Sequence, residues 1–241
     1  MPRLRFELKE SHLNIVVDNP PSKLESFVRY QRSLIDRFFQ QYPIEKLSLH
    51  PPSHLPANSP SIIKLAFFAA RQANVGILAA VPGAFSDVVA CYARGKGCKS
   101  IVVENGGEVA IISDRETFVG VLLGDTPISG KFAFRIPPTK GRLWGISTSS
   151  GKFSHALSFG NAEGVIVFGK NASIADAAAT SILNTISEKP SPSLIRKAIE
   201  YGRNIYGVKG IMIMHGSYIV TWGEIPEIVS TDGKLKSEYY V

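Results

Sequence analysis

The sequence predicts an α+β fold, with mixed or antiparallel sheets and helices packed outside them. Apolar residues alternate with polar ones near both ends of the chain, which is typical of β-hairpins. Helical patterns come in blocks between groups of strands, which argues against a doubly wound parallel sheet. The chain has 241 residues, 44% hydrophobic and 20% charged, so it is long enough to bury a core without disulfides. We therefore expect one domain over residues 1–241.

The first half of the chain is predicted to hold one hairpin and three helices. Alternating apolar residues over positions 4–17 form the hairpin, and two prolines end it. Apolar residues then recur at helical spacing, interrupted by a proline-rich loop at 47–60. The predicted helices span residues 23–42, 59–74 and 84–94, with Ser22 as the N-cap of the first and Gly76 closing the second.

The β pattern returns after residue 99 as short apolar runs joined by turns, which favours antiparallel neighbours. These predicted strands span residues 100–103, 108–113, 117–123, 131–136, 143–148 and 165–169. The chain then ends with an alanine-rich helix over 173–187, a second helix over 193–205, and a closing hairpin formed by 208–214 and 218–222.

Charge and cysteine content restrict the expected partners and compartment. Lys plus Arg is 27 and Asp plus Glu is 20, and the net charge of +7 suits anionic partners such as phosphates or a nucleotide. Arg94, Lys96 and Lys99 cluster without an aromatic-interleaved stripe, so nucleic acid is not an expected partner. Cys91 and Cys98 form neither a disulfide framework nor a zinc site and indicate a reducing compartment. No apolar run reaches the roughly 18 residues of a membrane span, and we expect a cytoplasmic protein.

The first motif with possible chemistry is Asn105-Gly106-Gly107, which lies between two β runs. Asn-Gly is a strong hairpin signal, and a structural turn alone accounts for it. The same glycines also let the backbone approach a ligand closely, so that its N–H groups meet phosphate oxygens. Glu104 and Glu108 flank the turn and are able to polarise a site or bind a metal. Both interpretations stay open at this point.

The second motif is a run of four hydroxyl residues, Ser147, Thr148, Ser149 and Ser150, bracketed by glycines. One interpretation is a polar surface loop, and the other is a loop whose hydroxyl and backbone donors bind phosphate or ribose. His155 follows it, and an imidazole pKa near 6.5 suits a general base. No role is assigned to the histidines of predicted turns and loops, His12, His50, His54 and His215.

The third motif is the pair Asp176 and Thr180 on the alanine-rich helix. The two residues are four positions apart, so they project from one face. An Asp near a helix start also favours the helix dipole without any ligand. A carboxylate and a hydroxyl are, however, the oxygen donors that Mg²⁺ takes, with phosphates completing the shell. The small neighbouring side chains leave both residues approachable, and Asp176 is expected to be half-exposed in a cleft.

Together the three motifs resemble the ApbE superfamily, whose members are Mg²⁺-dependent FAD:protein FMN transferases. The resemblance is stronger to a compact ApbE-like family of archaea and anaerobic bacteria. Phrases of that family recur in the same order at positions 79–84, 101–107, 148–151 and 155–160. The resemblance covers nearly the whole chain and implies an ApbE-like fold.

The resemblance also implies a role for each matched residue. Asp176 and Thr180 match the family's magnesium-binding residues, and residues 105–107 match a turn beside the flavin, FAD or FMN. Residues 147–150 match a hydroxyl-rich loop, and His155 matches the histidine that assists transfer. The implied partners are a small-molecule nucleotide and an acceptor protein that offers a hydroxyl. We expect the turn, the loop and the helix start to converge on one cleft.

Two features depart from ApbE enzymes. Their longer insert between the hydroxyl loop and the histidine is absent, and the Asp that follows their histidine is missing from Ala156-Leu157-Ser158. The compact family is also linked to sulfur handling and homocysteine formation in anaerobes. Three functions stay open: a flavin-linked transferase, a sulfur-assimilation enzyme on the same scaffold, and a non-catalytic flavin- or nucleotide-binding module.

Overall fold

The computed structural model describes residues 1–124, 126–151, 160–187 and 189–231, and the backbone of residues 239–240. This described part forms two sheets and six α-helices. The large sheet has eight strands, and every neighbouring pair in it is antiparallel. In spatial order its strands are β1 (Arg3–Leu8), β2 (Ser11–Val17), β3 (Ile101–Asn105), β4 (Glu108–Ile112), β7 (Trp144–Ser149), β8 (Gly164–Gly169), β9 (Val208–His215) and β10 (Tyr218–Gly223).

The small sheet has four strands and packs on one face of the large sheet. In spatial order they are β11 (Glu227–Ser230), β6 (Phe132–Ile136), β5 (Thr117–Gly120) and β12 (Tyr239–Tyr240). The pairing of β12 with β5 is parallel and the other two pairings are antiparallel, so the sheet is mixed.

The helices cover the other face of the large sheet. They are α1 (Leu24–Gln41), α2 (Pro43–Leu47), α3 (Ser61–Ala73), α4 (Val81–Gly95), α5 (Ala172–Asn184) and α6 (Pro192–Arg203), and a 3-10 turn, Ile77–Ala80, precedes α4. Every residue of α5 from Ala172 to Leu183 is buried. A helix so enclosed needs small side chains, and the alanines of α5 let the sheet, α3 and α4 approach it closely.

Strand alternation divides the core into two clusters, one on each face of the large sheet. Ile101, Val103 and Ala110 point to the helices and join the larger cluster. Val102 and Ile111 point the other way and pack with the small sheet. The predicted α+β class, with antiparallel and mixed sheets and packed helices, is confirmed.

Two helix boundaries differ from the predictions because of local backbone geometry. Lys23, not Ser22, is the N-cap of α1, and no side chain caps that helix end. Asn74, not Gly76, closes α3, because Asn74 adopts the left-handed conformation (φ 54°) and donates its N–H to Ala70 O. Gly76 serves a packing role instead, since a Cβ there would overlap the carbonyl oxygen of Ser48.

Helix α4 begins at Val81, three residues earlier than predicted, and strand β5 ends at Gly120 rather than at position 123. Pro82 lies in the first turn of α4, where its missing N–H costs nothing. Within the described residues, the stretch Ile77–Gly95 is long and apolar enough to cross a membrane by length and composition alone. Most of it is buried in the protein, which is the packing of a core helix.

Candidate functional site

Several of the sequence-predicted residues lie together at the end of the large sheet where β3 turns into β4. Asn105 pairs with Glu108 across this turn, and Glu108 pairs with Ser147 on β7. Directly paired residues of antiparallel strands share a face, so the three side chains form a row under the helices. We call the group formed by Asn105–Glu108, Ser147, Ser149, Asp176 and Thr180 the glycine-turn site.

The first turn of α4 joins this row to α5. The Gly83 N–H donates to Asp176 Oδ2 at 2.9 Å, and Asn105 Nδ2 donates to Pro82 O at 3.3 Å. Gly83 is required here, because a Cβ at this position would overlap the backbone of Ala172. The close contact of the two helices therefore holds the Asp176 carboxylate against the start of α4.

Asp87 fixes the beginning of α5 from the neighbouring helix. Its Oδ1 accepts the Ala172 N–H at 2.8 Å and its Oδ2 accepts the Ser173 N–H at 2.9 Å. Burial nevertheless raises the pKa of Asp87 to about 6. Sequence reasoning missed this residue, although a carboxylate in the middle of an apolar helix is a signal for a buried polar contact.

The carboxylates of the glycine-turn site are buried and electrostatically unfavourable. Burial raises the pKa of Glu108 well above its ordinary value, and the charges of Asp176 and Glu104 raise it further. Burial also raises the pKa of Asp176 well above its ordinary value, and the nearby Asp87 adds to the effect. Asp176 is only 5% exposed, so the expected half-exposed carboxylate is wrong. A cation near these groups would favour their charged forms.

The strand predicted over 143–148 is observed as β7, from Trp144 to Ser149, so the interpretation of residues 147–149 as part of a loop is wrong. Strand pairing continues through Ser149, which faces Val165 of β8. Ser147 Oγ lies 3.4 Å from Glu108 Oε1, and Ser149 Oγ lies 3.5 Å from Thr180 Oγ1. These distances are at the long limit of hydrogen bonding. Both hydroxyls therefore bond weakly to the partners they face.

One of the predicted hydroxyl residues, Thr148, does not join the row. Alternation places the Thr148 side chain on the opposite face of β7 from Ser147 and Ser149. Ser150 follows the strand and is buried. The structure thus brings Ser147, Ser149, Asp176 and Thr180 together but directs the Thr148 hydroxyl away from them.

The turn itself depends on its two glycines. Gly106 (φ 72°) and Gly107 (φ 108°) both adopt left-handed backbone geometry. The Gly107 N–H donates to Glu104 Oε1 at 2.9 Å, so this amide is already bonded within the protein. Burial raises the pKa of Glu104, which also accepts a bond from Asn14 Nδ2 at 2.6 Å. The turn therefore lets a ligand approach its backbone closely, but the Gly107 N–H is not free to donate to that ligand.

His155 falls at 152–159, outside the described residues. His215, assigned to a turn or loop from the sequence, is instead the buried last residue of β9. Its Nδ1 lies 3.4 Å from Glu163 Oε2, and the same oxygen accepts the Gly216 N–H at 2.9 Å. Sequence reasoning missed this pair because the two residues are 52 positions apart.

The donor set suits a hard cation, although protein groups alone do not complete its shell. Among the described residues, no group of three or more His, Cys, Asp or Glu side chains is arranged to hold a metal. Asp176 Oδ2 is bonded to Gly83, and the Thr180 and Ser149 hydroxyls lie near one another. Mg²⁺ takes six oxygens and commonly uses few carboxylates together with substrate phosphates. The buried Asp176 carboxylate and the adjacent hydroxyls of Thr180 and Ser149 fit that chemistry as oxygen donors.

This arrangement of sheets and helices matches the fold of the ApbE flavin transferases. The flavin transferase ApbE from Vibrio cholerae matches with a TM-score of 0.57 at 11% identity, over 92% of this chain and 96% of that one. The ApbE protein from Thermotoga maritima matches with a TM-score of 0.65 at 16% identity, over 91% and 96%. At such identities the likeness concerns the fold alone.

The chain belongs to the family described as AbpE bacteria, whose model matches residues 1–203. It is also 36% identical over 235 residues to a UPF0280 protein of Methanococcus vannielii, covering 95% of this chain and 94% of the relative. A UPF0280 protein of Methanospirillum hungatei is 34% identical over 235 residues, covering 96% and 92%. The resemblance to a compact ApbE-like family is therefore confirmed.

Proposed function

We propose that this protein is a flavin-transferase-like enzyme that binds FAD, or a related nucleotide diphosphate, with Mg²⁺ at the glycine-turn site and transfers FMN to an acceptor hydroxyl. The observation that carries the proposal is the position of Asp176 and Thr180, one helical turn apart on α5, with Thr180 Oγ1 3.5 Å from Ser149 Oγ. The ApbE fold supports the same class of reaction.

Asp176 and Thr180 are the residues that would hold Mg²⁺, with Ser149 nearby. When bound, the ion would neutralise negative charge on the diphosphate. Burial and the charge of Asp87 raise the pKa of Asp176, and a bound cation would stabilise its charged form, which otherwise accepts the Gly83 N–H. Glu108 lies close enough to Asp176 for their charges to interact, so it favours a cation at the same place.

The glycine turn would admit the diphosphate to the backbone. Among the described residues, a Cβ at Gly106 or at Gly107 would meet one atom each, at an ordinary contact distance of 3.6 Å, so those residues leave space beside the turn. A side chain there would occupy the approach and strain the left-handed backbone. In this proposal Asn105 holds the turn in place, because its side chain bonds both His12 N and Pro82 O.

The proposed transfer needs an acceptor for one proton. The acceptor hydroxyl oxygen forms a bond to the phosphorus of the FMN half, the diphosphate P–O bond breaks, and AMP leaves. His155 would take the hydroxyl proton, as the family resemblance implies. The substrate is a nucleotide, the partner is an acceptor protein, and we place the reaction in the cytoplasm.

The thiols give the sulfur-assimilation alternative little support. Cys91 is exposed by surface area, but partial desolvation by its neighbours raises the pKa of its thiol, and the charge of Asp87 adds to the effect. Burial also raises the pKa of Cys98, whose Sγ donates to Asn19 O at 2.9 Å. A raised pKa lowers the fraction of reactive thiolate. The non-catalytic binding module differs from the transferase only in turnover.

Calorimetric titration of FAD or ADP, with and without Mg²⁺, tests the metal site. We expect Asp176→Asn to weaken Mg²⁺-dependent nucleotide binding at least tenfold, about 1.4 kcal/mol, because the charge is lost while size is kept. Asp114→Asn is the matched control, since Asp114 is an exposed carboxylate at the opposite end of the sheet. Equal Mg²⁺ dependence in all three proteins would leave Asp176 as a structural residue.

Turnover separates the transferase from the binding module. Purified protein is incubated with FAD, Mg²⁺ and a hydroxyl-bearing acceptor protein, and AMP release and the acceptor mass are followed. We expect AMP and an FMN-modified acceptor with the wild type and neither with His155→Ala. Mass spectrometry of copurifying nucleotides identifies the bound ligand independently. Flavin binding without AMP release would favour the non-catalytic module.

A further inference from the structure

The four edges of the two sheets differ in how they are protected against pairing with another chain. β1, at one edge of the large sheet, carries exposed Arg3, Arg5 and Glu7. In the small sheet, β11 has four residues with Glu227 bonded to Arg135, and β12 has only two residues. Charged side chains and short strands are the usual devices that protect edges.

β10, the remaining edge, has neither device. Its six residues, Tyr-Ile-Val-Thr-Trp-Gly, include no charged residue and no proline. Ile219 is 58% exposed and Tyr218 is 36% exposed. Within the described part of the chain, β10 pairs only with β9, so its outer edge has no strand partner there. An exposed strand of this composition is a template for strand addition.

We propose that β10 is a dimer interface, where a second copy of this chain adds its own β10 to form a continuous antiparallel sheet. A two-fold axis perpendicular to the sheet makes identical strands antiparallel, so a second copy satisfies the edge without any other partner. The helices of both copies then lie on the same face of the joined sheet.

The side chains specify one register for this pairing. With the axis at Val220, Val220 faces its own copy, Ile219 faces Thr221, and Tyr218 faces Trp222. These are β-branched and aromatic cross-strand pairs, which stabilise antiparallel sheets, and no like charges meet. Moving the axis to Thr221 would keep a pair between Val220 and Trp222, but it would place Gly223 opposite Ile219 and Glu224 opposite Tyr218, so both of those apolar side chains would lose their favourable partners.

The short length of β10 limits the strength of the contact, and its place in the sheet determines whether the contact covers the glycine-turn site. A six-residue strand alone buries less than the roughly 800 Å² per partner of a standard interface, so we expect a dimer that dissociates on dilution. Helix α6 packs beside β10 and would extend the contact on the helix face. Two strands, β8 and β9, separate β10 from β7, so the glycine-turn site stays accessible in the dimer.

Sedimentation and light scattering on the full chain test the interface. We expect a concentration-dependent shift from 26.2 kDa to twice that mass. Thr221→Lys places a charge on the exposed edge and should weaken the dimer at least tenfold. Glu7→Lys, which puts the same side chain on the β1 edge, should leave it unchanged. A wild type that stays at 26.2 kDa at every concentration, or a dimer unaffected by Thr221→Lys, overturns the proposal.

Cysteine cross-linking tests the register, in a Cys91→Ser background because Cys91 is exposed. Opposed Cα atoms in antiparallel strands lie about 4.5–5.5 Å apart, within disulfide range, so Val220→Cys should give a covalent dimer. In the same register the two Ile219 Cα atoms lie about 8 Å apart, too far for a disulfide. Ile219→Cys, although more exposed, should therefore stay monomeric under denaturing conditions. Equal cross-linking of both variants, or none with Val220→Cys, overturns the two-fold pairing.

Discussion

Buried hydroxyls lie at both ends of the large sheet, and their hydrogen bonds differ. At the end where β3 begins, Ser113 Oγ donates to Arg115 O at 2.8 Å and lies 3.2 Å from Ser100 Oγ. Thr139 Oγ1 accepts the Ser113 N–H at 3.0 Å. We call Ser100, Ser113 and Thr139 the serine cluster. Short bonds to the backbone and to one another satisfy these groups within the protein.

At the glycine-turn site the hydroxyls face carboxylates and each other at longer distances. Ser147 and Ser149 lie 3.4 Å and 3.5 Å from their partners, Glu108 and Thr180. The residues that form the described part of this site include carboxylates and no lysine or arginine. These residues therefore supply no positive charge, and the proposed diphosphate binding would depend on the cation. At one end of the sheet the buried hydroxyls are satisfied within the protein, whereas at the other they bond weakly, which is a feature of a binding site.

The largest effect on the free energy of unfolding is expected for a substitution where α4 contacts α5. Gly83→Ala should lower the free energy of unfolding by more than about 3 kcal/mol, because the added Cβ overlaps the Ala172 backbone and pushes the helices apart. The control is Gly95→Ala at the other end of the same helix, where an added Cβ meets nothing within 4 Å. That variant should gain between zero and about 1 kcal/mol. Urea denaturation measures both, and equal effects would contradict the close helix contact.

The second effect is the pH dependence of stability in metal-free protein. Asp87 has a folded pKa of about 6 and an ordinary value of 3.8. Between these values the folded state binds more protons than the unfolded state, so stability falls as pH rises through about 4 to 6. Above that range the penalty from Asp87 is constant, at about 3 kcal/mol. The raised pKa values of Asp176 and Glu108 act in the same direction.

Urea denaturation with a chelator, across this pH range, measures the dependence. Asp87→Asn should flatten the curve, although it also loses one of the two bonds to the start of α5. Glu10 and Asp36, whose pKa values are lowered, contribute the opposite sign, but these partly exposed ion pairs contribute little. Stability that rises from pH 4 to 6 would contradict the account of the buried carboxylates.

Local sequence patterns predicted much of the fold and part of the site. Alternating apolar residues located the strands, and the Asn105-Gly106-Gly107 turn follows from residue type alone. Spacing placed Asp176 and Thr180 on one helix face, because four residues complete about one turn. These features depend on neighbours in the chain, so the sequence contains the information directly.

Contacts between distant residues were not predictable in the same way. Asp87 bonds to residues 85 and 86 positions away, and Gly83 is required by the backbone of Ala172. The hydroxyl run looked like a loop, because no local signal shows that it pairs with β8. The hydroxyl run and the serine cluster are both made of hydroxyl residues, so residue type alone does not show that their hydrogen bonds differ in length.

The smallest expected effects on the free energy of unfolding come from replacing one serine at each end of the sheet by alanine. Ser113→Ala should cost about 2 kcal/mol, because it leaves buried partners without their short hydrogen bonds. Ser147→Ala should cost less than about 0.5 kcal/mol, since it removes only the 3.4 Å contact with Glu108. Nucleotide titration should show the reverse order, with Mg²⁺-dependent binding weakened by Ser147→Ala and unchanged by Ser113→Ala. Equal losses of stability with equal binding would mean that the hydroxyls at both ends serve only the fold.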